Sequence, residues 1–153
     1  MRYTLLILVI ALFASCDSDL KEIEVKDYTV ENEAEIKQYI EDNDLVAERS
    51  DSGLYYIIEE PGTGEQPTAS SNVTVAYKGY FTNGDVFDAS DEDGVSFPLN
   101  GVISGWTEGI PYFKEGGKGK LLIPSYLAYG SKYYNGIPGG SVLIFDIHLI
   151  TVK

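Results

Sequence analysis

Six aromatic side chains and one carboxylate are the residues whose types could build a site. Tyr77, Phe87, Phe97, Trp106, Tyr129 and Phe145 stand in separate segments, Trp106 is the only tryptophan, and Asp88 directly follows Phe87. If the segments converge, the rings enclose an apolar cavity with a single charged group at its rim, which suits binding of an apolar guest. The sequence holds no nucleophile paired with a base, no Gly-rich phosphate loop, no metal-ligand cluster and no spaced carboxylate pair, so no metal or cofactor is expected. His148 is the sole histidine; it has no cysteine or second histidine near it and reads as a surface residue of a strand. Composition alone is equally satisfied by a plain core tryptophan at 106 and an ordinary turn aspartate at 88. The elements that carry them must decide.

Trp106 lies in the run Val102 to Phe113, where Trp106, Ile110 and Phe113 fall at offsets 0, 4 and 7 on one helical face. Ser104 is the expected N-cap, and Glu108 is placed to favour the positive end of the helix dipole. Around this short helix the pattern has period two. Strands are expected over Leu54–Glu60, Val73–Phe81, Val86–Asp88, Val95–Leu99, Gly117–Ile123 and Ser141–Val152. In the second, Val73, Val75 and Tyr77 share the core face; in the last, Leu143, Phe145, Ile147 and Leu149 do. Asn83-Gly84 is expected to supply two positive-φ residues for a tight hairpin turn. The Gly- and Tyr-rich stretch from Tyr126 to Gly140 reads as a long functional loop. Glycine (16) and tyrosine (12) are abundant in the 153 residues, which favours a β-rich domain of α+β class.

The N-terminal third is different. Arg2 precedes nine apolar residues, Leu5 to Phe13, too few to span a bilayer, which needs about 20. Residues 1–15 therefore read as an export signal. Phe13-Ala14-Ser15-Cys16 resembles a bacterial lipoprotein cleavage box, which makes Cys16, the only cysteine, a candidate lipidation site and leaves none for a disulfide. Residues 16–30 read as an acidic tether, and residues 31–52 as a short amphipathic helix plus linker. In that helix Ile36, Tyr39 and Ile40 form the apolar stripe, and Thr29 or Asn32 is the possible cap. The stripe is expected to dock on the outside of the domain, giving a monomer; a dimer contact is the alternative. Residues 17–52 carry thirteen acids against four bases, and residues 53–153 eleven against six. That balance, within a net charge of −13, disfavours nucleic acid and charge-driven membrane binding, so membrane association would come from an anchor.

The motifs Val75-Ala76-Tyr77-Lys78-Gly79, Gly84-Asp85-Val86-Phe87-Asp88-Ala89-Ser90, Val102-Ile103-Ser104-Gly105-Trp106-Thr107-Glu108-Gly109, Ile123-Pro124-Ser125-Tyr126-Leu127-Ala128-Tyr129-Gly130 and Leu143-Ile144-Phe145-Asp146 run collinearly over residues 53–153. As a set they resemble the FKBP-type peptidyl-prolyl isomerases. The resemblance implies a half-open antiparallel sheet wrapped around one short helix, with the N-terminal helix preceding it. It places Tyr77, Phe87, Asp88, Phe97, Val102, Ile103, Trp106, Tyr129, Ile137 and Phe145 on pocket positions, with Trp106 as floor. It also implies that the Tyr129 hydroxyl and the Ile137 backbone N–H donate to substrate carbonyls. Proline-containing polypeptides are the implied substrates, macrolide immunosuppressant-type compounds the implied inhibitors, and the bacterial cell envelope the expected location. A non-catalytic FKBP-like chaperone or binding module is the rival reading. The sequence departs from the family in the acidic run Asp91-Glu92-Asp93, in Pro111 within the helix segment, and in Tyr133 and Tyr134 of the long loop.

Overall fold

The computed structural model describes residues 26–153; the stretch read as an export signal, Cys16 and most of the stretch read as a tether lie outside them. The described chain begins with helix α1 (Thr29–Asp42). Neither Thr29 nor Asn32 caps it. Asp27 does so from outside, its Oδ1 accepting hydrogen bonds from the Thr29 N–H (2.8 Å) and hydroxyl (2.6 Å). Asn32 is instead buried inside the helix face. Among the described residues no helix is long and apolar enough to cross a membrane.

Seven strands follow: β1 (Glu48–Arg49), β2 (Tyr55–Glu60), β3 (Asn72–Tyr80), β4 (Val86–Ala89), β5 (Val95–Pro98), β6 (Lys118–Ile123) and β7 (Leu143–Val152). They form one antiparallel sheet in the order β1-β2-β6-β7-β3-β4. One edge of β3 is shared, because β5 pairs with its residues 72–75 and β4 with residues 78–80. The inward alternation expected for β7 holds up to Leu149. There Val75 faces Leu149 while Thr74 faces Thr151, so Ile150 is an extra residue, and the shift returns Val152 to the core side.

Helix α2 (Ser104–Gly109) crosses the inner face and passes directly into a 3-10 turn, Ile110–Tyr112. Ile103, not Ser104, occupies the N-cap position, and no side chain caps the helix. Glu108 falls in the last turn, where it accepts a hydrogen bond from the Ser52 hydroxyl. The expected face is nonetheless buried: Trp106, Ile110 and Phe113 pack with Leu54, Leu121 and Leu149 into the main core. Pro111 costs the helix nothing, since α2 has already ended and the 3-10 turn does not need its N–H. On the outer face Ile36 of α1, fully buried, packs with Tyr55, Tyr80, Leu122, Val142 and Ile144. The sheet therefore has two helices, one on each face.

The turns correct another expectation. At Asn83-Gly84 only Gly84 has positive φ (90°). Gly84 N–H donates to Phe81 O, and Asn83 contributes through its side chain, Oδ1 accepting from the Asp85 N–H. Phe87 is an extra residue between the pairs Gly79–Asp88 and Tyr80–Val86, so the hairpin is bulged. The two-residue turn with both φ values positive is at Asn135 (43°) and Gly136 (90°), between Tyr134 and Ile137, which exchange both backbone hydrogen bonds. The long loop thus carries its own small hairpin.

Candidate functional site

Between α2 and the open end of the sheet lies a cavity of about 380 Å³. Trp106, 5% exposed, forms its base and is met by three rings. Tyr77 and Phe145 stand edge-on to it, at centroid distances of 5.0 and 5.1 Å and near right angles, and Phe97 leans on it at 5.3 Å. Phe87 continues the wall by standing edge-on to Phe145 at 5.6 Å. Edge-to-face contacts between quadrupoles fix ring orientation as well as distance, so the walls are a rigid apolar surface.

Each ring is delivered by its element. Tyr77 comes from β3 and Phe145 from β7, whose pairing puts Gly79 opposite Phe145. A Cβ at position 79 would stand 2.7 Å from Phe87 Cζ and 2.8 Å from Phe145 Cε1, so only glycine leaves room for both rings. Phe97 comes from β5, the strand on the shared edge, with Val95 beside it on the same side. The Ser90 hydroxyl accepts from the Tyr77 N–H and the Ser90 N–H donates to Tyr77 O, which locks the end of the β3–β4 hairpin beside the cavity.

The polar atoms sit at the mouth. Asp88 is exposed, and its Oδ2 accepts a 2.7 Å hydrogen bond from the Tyr77 hydroxyl. Burial, then the neighbouring Asp88 carboxylate, pushes the Tyr77 phenol up to about 12. Tyr129, 37% exposed, stacks against Tyr134 at 4.7 Å and 11°; burial first, then Tyr134 and Asp88, raises its phenol too. Both hydroxyls are therefore protonated donors at neutral pH. Trp106 Nε1 is buried without a hydrogen-bond partner among the described residues.

Nine of the ten pocket residues expected from the sequence line this one cavity: Tyr77, Phe87, Asp88, Phe97, Val102, Ile103, Trp106, Tyr129 and Phe145. Ile137 does not. It is 7% exposed, it belongs to the small hairpin of the long loop, and its N–H already donates to Tyr134 O at 2.8 Å. Val95 and Gly101 line the cavity although the sequence did not single them out, and Tyr134, noted there only as a departure from the family pattern, lines it too. Asn135-Gly136 was the available signal for Tyr134, because a two-residue turn sets its flanking residues face to face. Among the described residues no group of His, Cys, Asp and Glu could hold a metal. His148 lies away from the cavity, in a shallow groove on the outer side of the sheet with Lys118, Lys120 and Asp146.

Residues 63–150 match the family described as FKBP-type peptidyl-prolyl cis-trans isomerase. The FKBP-type peptidyl-prolyl cis-trans isomerase FkpA of Escherichia coli K12 is 46% identical over 127 residues, which cover 80% of this chain and 47% of that protein. FkpA of Buchnera aphidicola from Acyrthosiphon pisum is 50% identical over 106 residues, 68% of this chain and 44% of that one. The crystal structure of Escherichia coli FkpA superposes with a TM-score of 0.73 at 45% identity, covering 82% of this chain and 61% of that chain. A peptidyl-prolyl cis-trans isomerase from Pseudomonas syringae pv. tomato gives 0.71 at 31% identity, covering 84% and 97%. The chain spans about half the length of the FkpA proteins it matches.

Proposed function

Because the chain belongs to the FKBP-type peptidyl-prolyl cis-trans isomerase family, we propose that its residues 53–153 accelerate rotation about Xaa-Pro bonds in exported polypeptides. The observation that carries the reading is the cavity, with four aromatic side chains around a tryptophan base and two polar groups, Asp88 and the Tyr129 hydroxyl, at the mouth.

The uncatalysed rotation crosses a barrier of about 18–20 kcal/mol, because twisting breaks amide resonance, and each tenfold of rate requires about 1.4 kcal/mol. No bond is made or broken, so the walls need only favour the twisted amide over the planar one. The proline ring enters the apolar space over Trp106. There the planar amide, the more dipolar form, loses more hydration than the twisted form does. Asp88, held by Tyr77, faces the carbonyl carbon as it loses resonance, and Tyr129 donates its hydroxyl hydrogen to a substrate carbonyl. The backbone donor is reassigned from Ile137 to Ile103. Ile103 lines the cavity ahead of α2, and its N–H, unlike its carbonyl, enters none of the hydrogen bonds formed among the described residues.

Residues 1–15 are read as the lipoprotein signal, 16–30 as the tether from a lipidated Cys16, and 31–52 as the helix and linker of a monomer in the bacterial envelope. Macrolide immunosuppressant-type compounds are the inhibitors that fit an apolar, hydroxyl-rimmed cavity of this size. A protease-coupled assay on a Xaa-Pro tetrapeptide tests the activity: cis-to-trans conversion faster than the thermal rate is expected, and conversion at the thermal rate overturns the reading. For the anchor, Cys16→Ser is expected to move the protein from the membrane pellet to the soluble fraction; continued pelleting overturns lipidation.

A further inference from the structure

The loop that carries Tyr129 and Tyr134 is tied at both ends to α1. Asn32 and Ser125 are the buried polar residues among those described, and Asn32 is 1% exposed. Its Oδ1 accepts from the Ser125 N–H at 2.8 Å, and its Nδ2 donates to Gly140 O at 2.8 Å. The donor and acceptor opposite it fix which way the carboxamide points. Ser125 and Gly140 are the two ends of the loop. Inside it the Gly130 N–H donates to Ser125 O (2.8 Å) and the Gly140 N–H to Gly130 O (2.9 Å), so the carboxamide closes a ring of backbone groups adjoining Tyr129. The Tyr28 ring lies against Gly140, where a Cβ would come within 2.4 Å of it.

The same helix reaches the other side of the mouth. Glu35 accepts from the Thr82 hydroxyl at 2.6 Å, in the turn that leads into Phe87 and Asp88. Ile36, next to Glu35 in the helix, is fully buried and already accounts for docking of the helix on the sheet. Covering apolar surface does not call for an asparagine, which is costly in a buried position unless every polar atom is bonded. What the carboxamide adds is geometry, because two directional bonds hold the ends of the loop at a set distance from each other.

We propose that Asn32 is a positioning residue for the isomerase reaction: by joining Ser125 to Gly140 it sets where the Tyr129 hydroxyl stands over the cavity, and α1 is thereby part of the working domain. The inference rests on the proposed isomerase activity. It is tested in the full-length protein with Asn32→Leu, of similar volume, and with Asn32→Asp, which keeps the acceptor for Ser125 and loses the donor to Gly140. At a temperature where circular dichroism shows each variant folded, Asn32→Leu is expected to lower kcat/KM about fivefold to tenfold, the loss that follows from one misplaced hydroxyl donor, and Asn32→Asp by less. In a Tyr129→Phe background the Asn32 substitutions are expected to change kcat/KM by less than about twofold, because the group they position is gone. Unchanged kcat/KM in either folded single variant, or losses that multiply in full with Tyr129→Phe, overturns the proposal. A purely structural asparagine gives that multiplication. If Asn32→Leu does not fold, the Asn32→Asp arm of the cycle decides. If the unaltered protein shows no isomerase activity, that failure belongs to the activity; affinity of the same variants for the Xaa-Pro peptide, read by titration, then decides the positioning role by the same coupling criterion.

Discussion

The floor of the cavity and its rim are built by different means. The floor consists of Trp106 and Phe145, 5% and 4% exposed, resting on a core in which Ile110, Phe113 and Leu121 are fully buried. Its position is set by close packing, so it moves only if the core moves. The rim consists of Asp88, Tyr129, Tyr134 and Val95, which are exposed or nearly so and held by single hydrogen bonds, one ring stack and two turns. A site made this way separates shape from polarity. Its apolar volume belongs to the fold, while its polar atoms can be altered one at a time.

The sharpest break in that comparison is Trp106→Ala. Truncating a buried aromatic of this size typically costs about 3–5 kcal/mol, so Tm and isomerase activity are expected to fall together. Retained Tm with lost activity would show that the floor is not part of the core. Asp88→Ala acts on the rim. It removes the acceptor of the Tyr77 hydroxyl, a charge-assisted bond of about 1.5–3 kcal/mol at full strength and less at this exposed site. Turnover is expected to drop about tenfold with Tm nearly unchanged in a thermal scan; a large drop in Tm would place Asp88 with the floor. Tyr129→Phe is smaller, losing one donor worth about 0.5–1.5 kcal/mol, or about tenfold at most in kcat/KM. Complete loss of turnover would instead indicate proton transfer.

The smallest effect expected is that of pH. Burial and Asp88 push Tyr77 up to about 12, and burial raises Tyr129, so both phenols keep their protons well beyond neutrality. Tyr77 has its folded-state value above its ordinary one. Its contribution to stability is therefore complete below about 10 and is lost as pH rises through about 12. Rates measured from about pH 6 to 9 should be flat, since the cavity lining holds neither a histidine nor a cysteine. A rate that titrates near neutrality would break the separation of rim from chemistry.

The period-two pattern made the floor legible. Val73, Val75 and Tyr77, and Leu143, Phe145, Ile147 and Leu149, all face the core as their alternation requires. Alternation could not reveal that Ile150 is inserted, because a bulge is a property of the pair of strands and its partner at Thr74/Val75 is remote in sequence. The rim was harder for the same reason. Asn83-Gly84 and Asn135-Gly136 are the same dipeptide, yet only the second takes positive φ at both residues. In the first, the Asn83 side chain satisfies the Asp85 N–H and Glu35 of α1 holds the neighbouring Thr82. Ile137 was placed at the cavity because hydrophobicity and its loop were right, but its N–H is taken by Tyr134 across the turn. Helix caps failed similarly: a Ser or Thr near a helix start permits a cap, and at Ser104 and Thr29 the backbone had already turned helical.

The short strands at the sheet's borders have a further consequence. An isomerase meets its substrates as extended chains with unpaired backbone, and an open strand edge would recruit such chains wherever they lack structure, proline or not. Here one border ends in the two residues of β1, beyond which β2 carries Glu59 and Glu60 beside an irregularity in its pairing. The other ends in β4 and β5, four residues each, with a bulge in the first and Pro98 closing the second. None of these offers a flat ladder long enough to hold a polypeptide by its backbone. Under the proposed activity, substrate chains would be left with the aromatic cavity as their point of capture, and after the bond has turned they would have no sheet edge among the described strands to stay attached to.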